Sequence, residues 1–253
     1  MNRERRSLWL AYGLWCYFWL VLLTAGCGIL VIFLSFLDRT GRIPQKVGRW
    51  WAARILHLCR IRVTVEGLEH LQPGRTYVYA ANHRSQFDIF VLLTSLPGMF
   101  SFVAKKSLFQ IPIFGQAISR LGAVSIDRAN LQEAIVSLNL AAQRVRQGLS
   151  MIIFPEGTRG KSRELLPFKK GVFIMAQKAG QPVVPVSLSG TAAIQPRGSL
   201  MVRPGPVRVV ISPPIPPEDF VGRRKEELMA RVRAAIAAHF DPDYPYGPAG
   251  DRS

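Results

Sequence analysis

Thr76-Tyr77-Val78-Tyr79-Ala80-Ala81-Asn82-His83-Arg84-Ser85-Gln86-Phe87-Asp88-Ile89-Phe90-Val91-Leu92-Leu93 is the stretch that decides the fold. Residues 76–81 are apolar and aromatic and read as a buried strand, while 88–96 read as a helix. A short polar turn joins them. The same alternation recurs on both sides: strands are expected over 62–66, 100–104, 123–127, 150–154, 183–188 and 207–211. Helices are expected over 113–121, 130–147, 170–179 and 224–240, several of them ending at Gly or Pro. Strands separated by helices predict an α/β domain, with residues 61–240 forming its body.

Upstream, residues 8–37 run without a single charge and carry Trp9, Trp15, Phe18, Trp19, Ile29, Ile32 and Phe36. That is longer than the roughly 20 residues one bilayer span requires. Arg3, Arg5 and Arg6 precede the run, and Arg39, Arg42, Lys46 and Arg49 follow it. Because positive flanks favour the cytoplasmic side, both ends are expected there. The segment would then be embedded in one leaflet, with Gly26-Cys27-Gly28 as a bend; a tilted single span is the competing arrangement. Pro44 opens a further helix to about Arg60, with Val47, Trp50, Trp51, Ile55 and Leu58 on one face and Lys46, Arg49 and Arg54 toward the other. Such a helix suits the headgroup region, so residues 1–60 are read as a membrane-associated helical segment. Residues 241–253, rich in Pro, Gly and Asp, read as a flexible tail.

Lys and Arg number 33 against 16 Asp and Glu, a formal net charge of +17, which calls for an anionic partner. The charge alone fits nucleic acid, an anionic membrane or a phosphorylated substrate. A nucleic-acid reader would interleave its cations with base-stacking aromatics. Here the aromatics concentrate in the apolar segment, so no nucleic-acid partner is expected. The three cysteines, Cys16, Cys27 and Cys59, have neither metal-ligand spacing nor the count of a disulfide framework.

The turn after residue 81 carries the first chemistry. His83 and Asp88 are five apart, and a turn between them can bring the carboxylate onto one imidazole nitrogen. That contact sets the tautomer and leaves the other nitrogen free to take a proton. The same spacing also arises when an aspartate caps a helix beside an unremarkable turn histidine. Ser85 lacks the context of a nucleophile elbow and is expected to serve the turn. The second element is Phe154-Pro155-Glu156-Gly157-Thr158-Arg159, again after a strand. Arg159 offers a planar fork suited to phosphate, and Glu156 could meet a hydroxyl or hold Arg159. Lys105, Lys106 and Arg128 follow two further strands, where the ends of an α/β sheet converge on one crevice.

Taken in order, Asn82-His83-x4-Asp88, Gly122-x3-Ile126-Asp127-Arg128, Phe154-Pro155-Glu156-Gly157-Thr158-Arg159 and Val184-Pro185-Val186 resemble the four motifs of the glycerophospholipid acyltransferases, in particular their bacterial 1-acyl-glycerol-3-phosphate branch. The resemblance implies a mixed sheet flanked by helices on an N-terminal membrane segment. It implies His83 as general base and Asp88 as its orienting partner. Lys105, Arg128, Glu156, Gly157 and Arg159 would bind the acceptor and its phosphate. The implied partners are acyl-CoA or acyl-carrier protein, lysophosphatidic acid or a related lyso-lipid such as lyso-ornithine lipid, and membrane lipids. No metal and no cofactor are implied. The implied location is the bacterial cytoplasmic membrane, with the catalytic domain on the cytoplasmic side.

Overall fold

The computed structural model describes residues 3–222 and 224–245, with side chains from residue 7 onward. The charges of Arg3, Arg5 and Arg6, and residues 246–253 of the expected tail, lie outside the described residues. Seven strands form one mixed sheet: β1 (Ile61–Glu66), β2 (Val78–Ala81), β3 (Phe100–Lys105), β4 (Val124–Ile126), β5 (Ser150–Ile153), β6 (Val183–Ser189) and β7 (Gly205–Ile211). Their order across the sheet is β1-β7-β6-β2-β5-β3-β4. From β6 through β4 every neighbouring pair is parallel, while β7 runs antiparallel to β6 and pairs in parallel with β1.

The strand expectations hold to within two residues because the central strands are buried on both faces. β2, β5 and β6 are buried along their whole length. Such strands read as continuous apolar runs rather than as alternation. Successive side chains still divide between two cores: Tyr79 and Ala81 join one, and Val78 and Ala80 join the other.

Among the described residues eight α-helices flank the sheet: α1 (Arg3–Leu37), α2 (Arg42–Leu58), α3 (Phe87–Ser95), α4 (Phe114–Arg120), α5 (Leu131–Arg146), α6 (Lys170–Ala179), α7 (Thr191–Ile194) and α8 (Lys225–His239). The first core takes side chains from α1, α2 and α3, and the second takes them from α5, α6 and α8. α5 begins where Asn130 accepts from the backbone N–H groups of Gln132 and Glu133, a side-chain N-cap. Four-residue α7 carries no periodic signal that could have announced it.

The amino-terminal helices depart from expectation in two ways. α1 has no bend at Gly26-Cys27-Gly28; it runs unbroken for 35 residues, about 50 Å at the usual helical rise. Gly13 and Gly28 serve close approach instead, while a Cβ on Gly26 would meet nothing within 4 Å. A Cβ on Gly13 would lie 2.5 Å from the Leu200 carbonyl oxygen, and one on Gly28 would lie 2.7 Å from Ile113 Cγ2. Helix α2 starts at Arg42 rather than Pro44, and its inward face is Gln45, Gly48, Ala52 and Ile55. Arg49 belongs to that packing: it donates to the carbonyls of Leu93 and Gly98, and its guanidinium lies over Phe100. Trp50 points outward, while Trp51 packs on Phe90. Cys16, Ala52 and Ile55 share a core with strand residues, so α1 and α2 are built onto the domain.

Part of the expected tail is also held. The Asp241 amide donates to Ser189 Oγ, and Asp243 pairs with Arg163.

Candidate active site

The carboxyl ends of β6, β2, β5, β3 and β4 point the same way, so the segments that follow them meet at one edge of the sheet. The turn after β2 sits at the centre. Asn82 is buried and clamps that strand end to β6, donating to the Leu188 carbonyl (2.9 Å) and accepting from its amide (2.7 Å). Asp88, in the first turn of α3, is fully buried. Its Oδ2 accepts from His83 Nδ1 at 2.7 Å and from the backbone amides of Arg84 (2.7 Å) and Ser85 (2.9 Å). The histidine and its partner are thus held in one turn wrapped around a carboxylate. With Nδ1 donating, Nε2 carries the lone pair. The imidazole stacks on Phe154, with centroids 3.9 Å apart, which holds its plane.

The backbone behind His83 is fastened by Glu156. This side chain is 1% exposed, and its oxygens accept from the amides of His83 (2.7 Å) and Leu166 (2.9 Å). Burial pushes its carboxyl above the usual range, although the two amides and the Arg84 charge pull it down. Arg84 is itself buried; it donates to the carbonyls of Glu164 and Ser162 and lies over Phe240.

Ser85 Oγ donates to the Gln195 carbonyl at 2.9 Å and is buried, so it serves the turn as expected.

A cavity of about 670 Å³ opens beside His83. Lys105, Arg128, Arg159 and Arg197 line it, and among the described residues no carboxylate does. Lys106, the neighbour of Lys105, faces away and pairs with Glu133 (2.7 Å) and Asp127 (3.5 Å). Of the two lysines, Lys105 is the one that lines the cavity. Arg128 donates to the Gly157 carbonyl, and Gly157 adopts φ +71°, a conformation that favours glycine.

Glu156 and Gly157, expected at the acceptor site, are placed differently from the other candidates. Neither lines the cavity, and the Glu156 oxygens are engaged by backbone amides. The remaining expected residues, His83, Lys105, Arg128 and Arg159, meet at the cavity, with Asp88 directly behind His83.

The acyltransferase family matches residues 62–189. A crystal structure of the 1-acyl-sn-glycerophosphate acyltransferase PlsC from Thermotoga maritima superposes with a TM-score of 0.80 at 31% identity, covering 94% of this chain and 95% of that one. The chain belongs to the acyltransferase family. It is also 35% identical over 223 residues to the 1-acyl-sn-glycerol-3-phosphate acyltransferase of Saccharomyces cerevisiae, covering 84% of this chain and 72% of the yeast protein. The chloroplast 1-acyl-sn-glycerol-3-phosphate acyltransferase of Brassica napus is 37% identical over 208 residues, 81% of this chain. This chain spans 58% of that plant relative's length and 62% of a second, from Arabidopsis thaliana.

In this member of the acyltransferase family the cavity has a second, apolar limb. Its walls are Leu20 and Val21 of α1, Trp51 of α2, Phe90 of α3, Phe102 of β3 and the 111–114 turn. Ile113 holds φ +64° and ψ −58°, and the Phe114 amide reaches the Pro112 carbonyl at 2.6 Å, a strained three-residue turn. That turn sets Ile113 against Gly28 of α1 and closes the wall.

The roles of Asn82, Phe154, Arg84 and Arg197 were not foreseen. Asn82 and Phe154 stood inside the quoted motifs, and their contacts follow only from which strands are neighbours. Arg84 and Arg197 sit in turns, and nothing in their local sequence separates them from solvated arginines.

Proposed function

We propose that the protein moves a fatty acyl group from acyl-CoA or acyl-carrier protein to the free sn-2 hydroxyl of 1-acyl-glycerol 3-phosphate, giving phosphatidic acid. The observation that carries this reading is the His83–Asp88 pair opening on a cavity with cations at one end and apolar side chains at the other. His83 Nε2 removes the hydroxyl proton, and the oxygen attacks the thioester carbonyl carbon. A C–O bond forms and the C–S bond breaks. The imidazolium, stabilised by Asp88, returns its proton to the departing thiolate. Ser85 is buried and bonded away from the cavity, so the reading uses direct transfer without an acyl-enzyme. Arg159, Arg128 and Lys105 hold the acceptor phosphate, and the apolar limb takes an acyl chain.

The test is a panel assay of purified protein with labelled acyl-CoA and acyl-carrier protein against lysophosphatidic acid, glycerol 3-phosphate and lyso-ornithine lipid. Lysophosphatidic acid should be the best acceptor. Preference for lyso-ornithine lipid would keep the chemistry and replace the acceptor, and label in no lipid would overturn both. Within this assay Arg159→Lys keeps the charge and loses the fork, so the acceptor KM should rise about tenfold. The donor KM should change little; an equal rise in both would move Arg159 off the acceptor site.

The same reading places the protein on the cytoplasmic membrane of a bacterium with its active site toward the cytoplasm. α1 provides one helix long and apolar enough to cross a bilayer, Ser7–Leu37. It touches the rest of the protein along most of its length. Tyr12 reaches the Leu58 carbonyl, Thr24 accepts from Trp51, Gly28 abuts Ile113, and Arg120 lies 4.3 Å over Phe36. Its other side exposes Leu14, Phe18, Val21, Leu22, Ile29, Phe33 and Phe36. A perpendicular span would drag α2 and α4, with their arginines, into hydrocarbon. An in-plane helix buries the exposed stripe in one leaflet and keeps those charges at the headgroups. Single cysteines at Ser7 and Thr40 in a cysteine-free background should both resist an impermeant thiol reagent in intact cells. External labelling at Ser7 with protection at Thr40 would establish a span instead.

A further inference from the structure

Arg197 belongs to none of the four motifs, yet it lines the cavity with His83, Arg128 and Arg159. It sits in the segment after α7, which is tied down on several sides. The Gln195 side chain donates to the Tyr17 hydroxyl and to the Ser199 carbonyl (3.0 Å), and its carbonyl accepts from Ser85. Gly13 allows α1 to press on the Leu200 carbonyl. The base of this loop is therefore held both to the catalytic turn and to α1, and it presents Arg197 from a supported position.

The guanidinium of Arg197 donates to the Arg159 carbonyl at 2.7 Å. From the other side Arg128 donates to the Gly157 carbonyl of the same loop. Two guanidinium groups thus grip one turn at carbonyls two residues apart, with Arg159 belonging to the turn itself. One N–H of Arg197 is used in this grip, and an arginine carries five. Arg197 reaches the cavity from an exposed loop, and among the described residues no carboxylate lines that cavity to neutralise it. By contrast, Lys106 just outside is matched by Glu133 and Asp127, and buried Arg84 is near Glu156 and Asp88. Among the described residues none of the four cations lining the cavity is paired with a carboxylate.

We propose that Arg197 determines headgroup specificity: with Arg128 and Arg159 it selects acceptors bearing a phosphate monoester over those bearing a phosphate diester. A monoester offers three unesterified oxygens and close to two negative charges near neutral pH, whereas a diester offers two oxygens and one charge. Three guanidinium groups around one loop match the former. A diester brings one charge fewer and one free oxygen fewer to the same three groups. The proposal rests on the acceptor reading above and assigns a residue that the motifs omit.

Binding is measured without turnover, in a His83→Ala background, by titration calorimetry in detergent micelles. The ligands are lysophosphatidic acid, a monoester, and lysophosphatidylglycerol, a diester. Arg197→Gln should weaken monoester binding about tenfold and diester binding less than about twofold, so the preference collapses. Arg197→Lys, which restores the charge without the fork, should recover part of the loss. Equal weakening of both lipids would mean that Arg197 only props the Arg159 loop, and an unchanged preference would remove it from the site; either result overturns the proposal. So would the absence of binding by either lipid. If lysophosphatidic acid binds with the expected Arg197 dependence but the wild-type protein transfers no acyl group, the reaction reading fails and the headgroup assignment stands.

Discussion

Replacing His83 by alanine is expected to lower acyl transfer by a factor of about 10³ to 10⁴ and to leave the protein folded. The loss is kinetic because, in the proposed reaction, the imidazole takes the hydroxyl proton. Structurally the cost is small. The side chain is 15% exposed, and it gives up the Phe154 stack, worth about 0.5–1.5 kcal/mol, and one bond to Asp88. Asp88→Asn should lose a factor of about 10² to 10⁴ by a different route. A neutral amide oxygen in the place of Oδ2, which now takes three donors, weakens each of those bonds and leaves the imidazolium without its counter-charge. Its thermal midpoint should fall as well, whereas that of His83→Ala should stay close to wild type. Initial rates and melting curves on the same preparations check both. Turnover near normal in a verified His83→Ala protein would remove the base from the mechanism.

Glu156→Ala should be the most destabilising single change at the site, by about 3–5 kcal/mol. It leaves the amides of His83 and Leu166 without an acceptor and strips buried Arg84 of a neighbouring anion. Glu156→Gln keeps the volume and one acceptor, so it should cost less, but its NH₂ group must face an amide donor. Both variants should lose rate because the His83 backbone is no longer pinned. Denaturant titration separates this account from the acceptor-binding role expected at first. An acceptor ligand would raise KM and leave stability untouched, and that outcome would return Glu156 to the binding site.

The contrast between His83 and Glu156 shows what could be read in advance. The strands were legible because runs such as Val183-Val184-Pro185-Val186 are apolar on both faces, and two-sided burial leaves that signature. The His83–Asp88 contact was legible because it is local, five residues closed by one turn. Glu156 lies 73 residues from His83 in sequence, and its role depends on β5 lying next to β2, which no local pattern encodes. From the motif alone, a carboxylate facing a substrate and one facing a backbone amide look the same. Arg197 was illegible for a related reason, since its meaning comes from the Arg159 carbonyl at the end of a different strand. The bend expected in α1 failed for the opposite reason. Gly26-Cys27-Gly28 has the composition of a bend, but the helix continues unbroken through it beside α2 and α4, and Gly28 is used for contact with Ile113.

The central claim is that the site transfers an acyl group rather than merely binding lipid or hydrolysing thioesters. It is tested most directly by following labelled acyl-CoA with purified protein in the presence and absence of lysophosphatidic acid. The predicted result is label in phosphatidic acid, with thiol release that depends on the acceptor and is lost in His83→Ala. Thiol release at the same rate without acceptor, or with label ending in free fatty acid, would contradict the account.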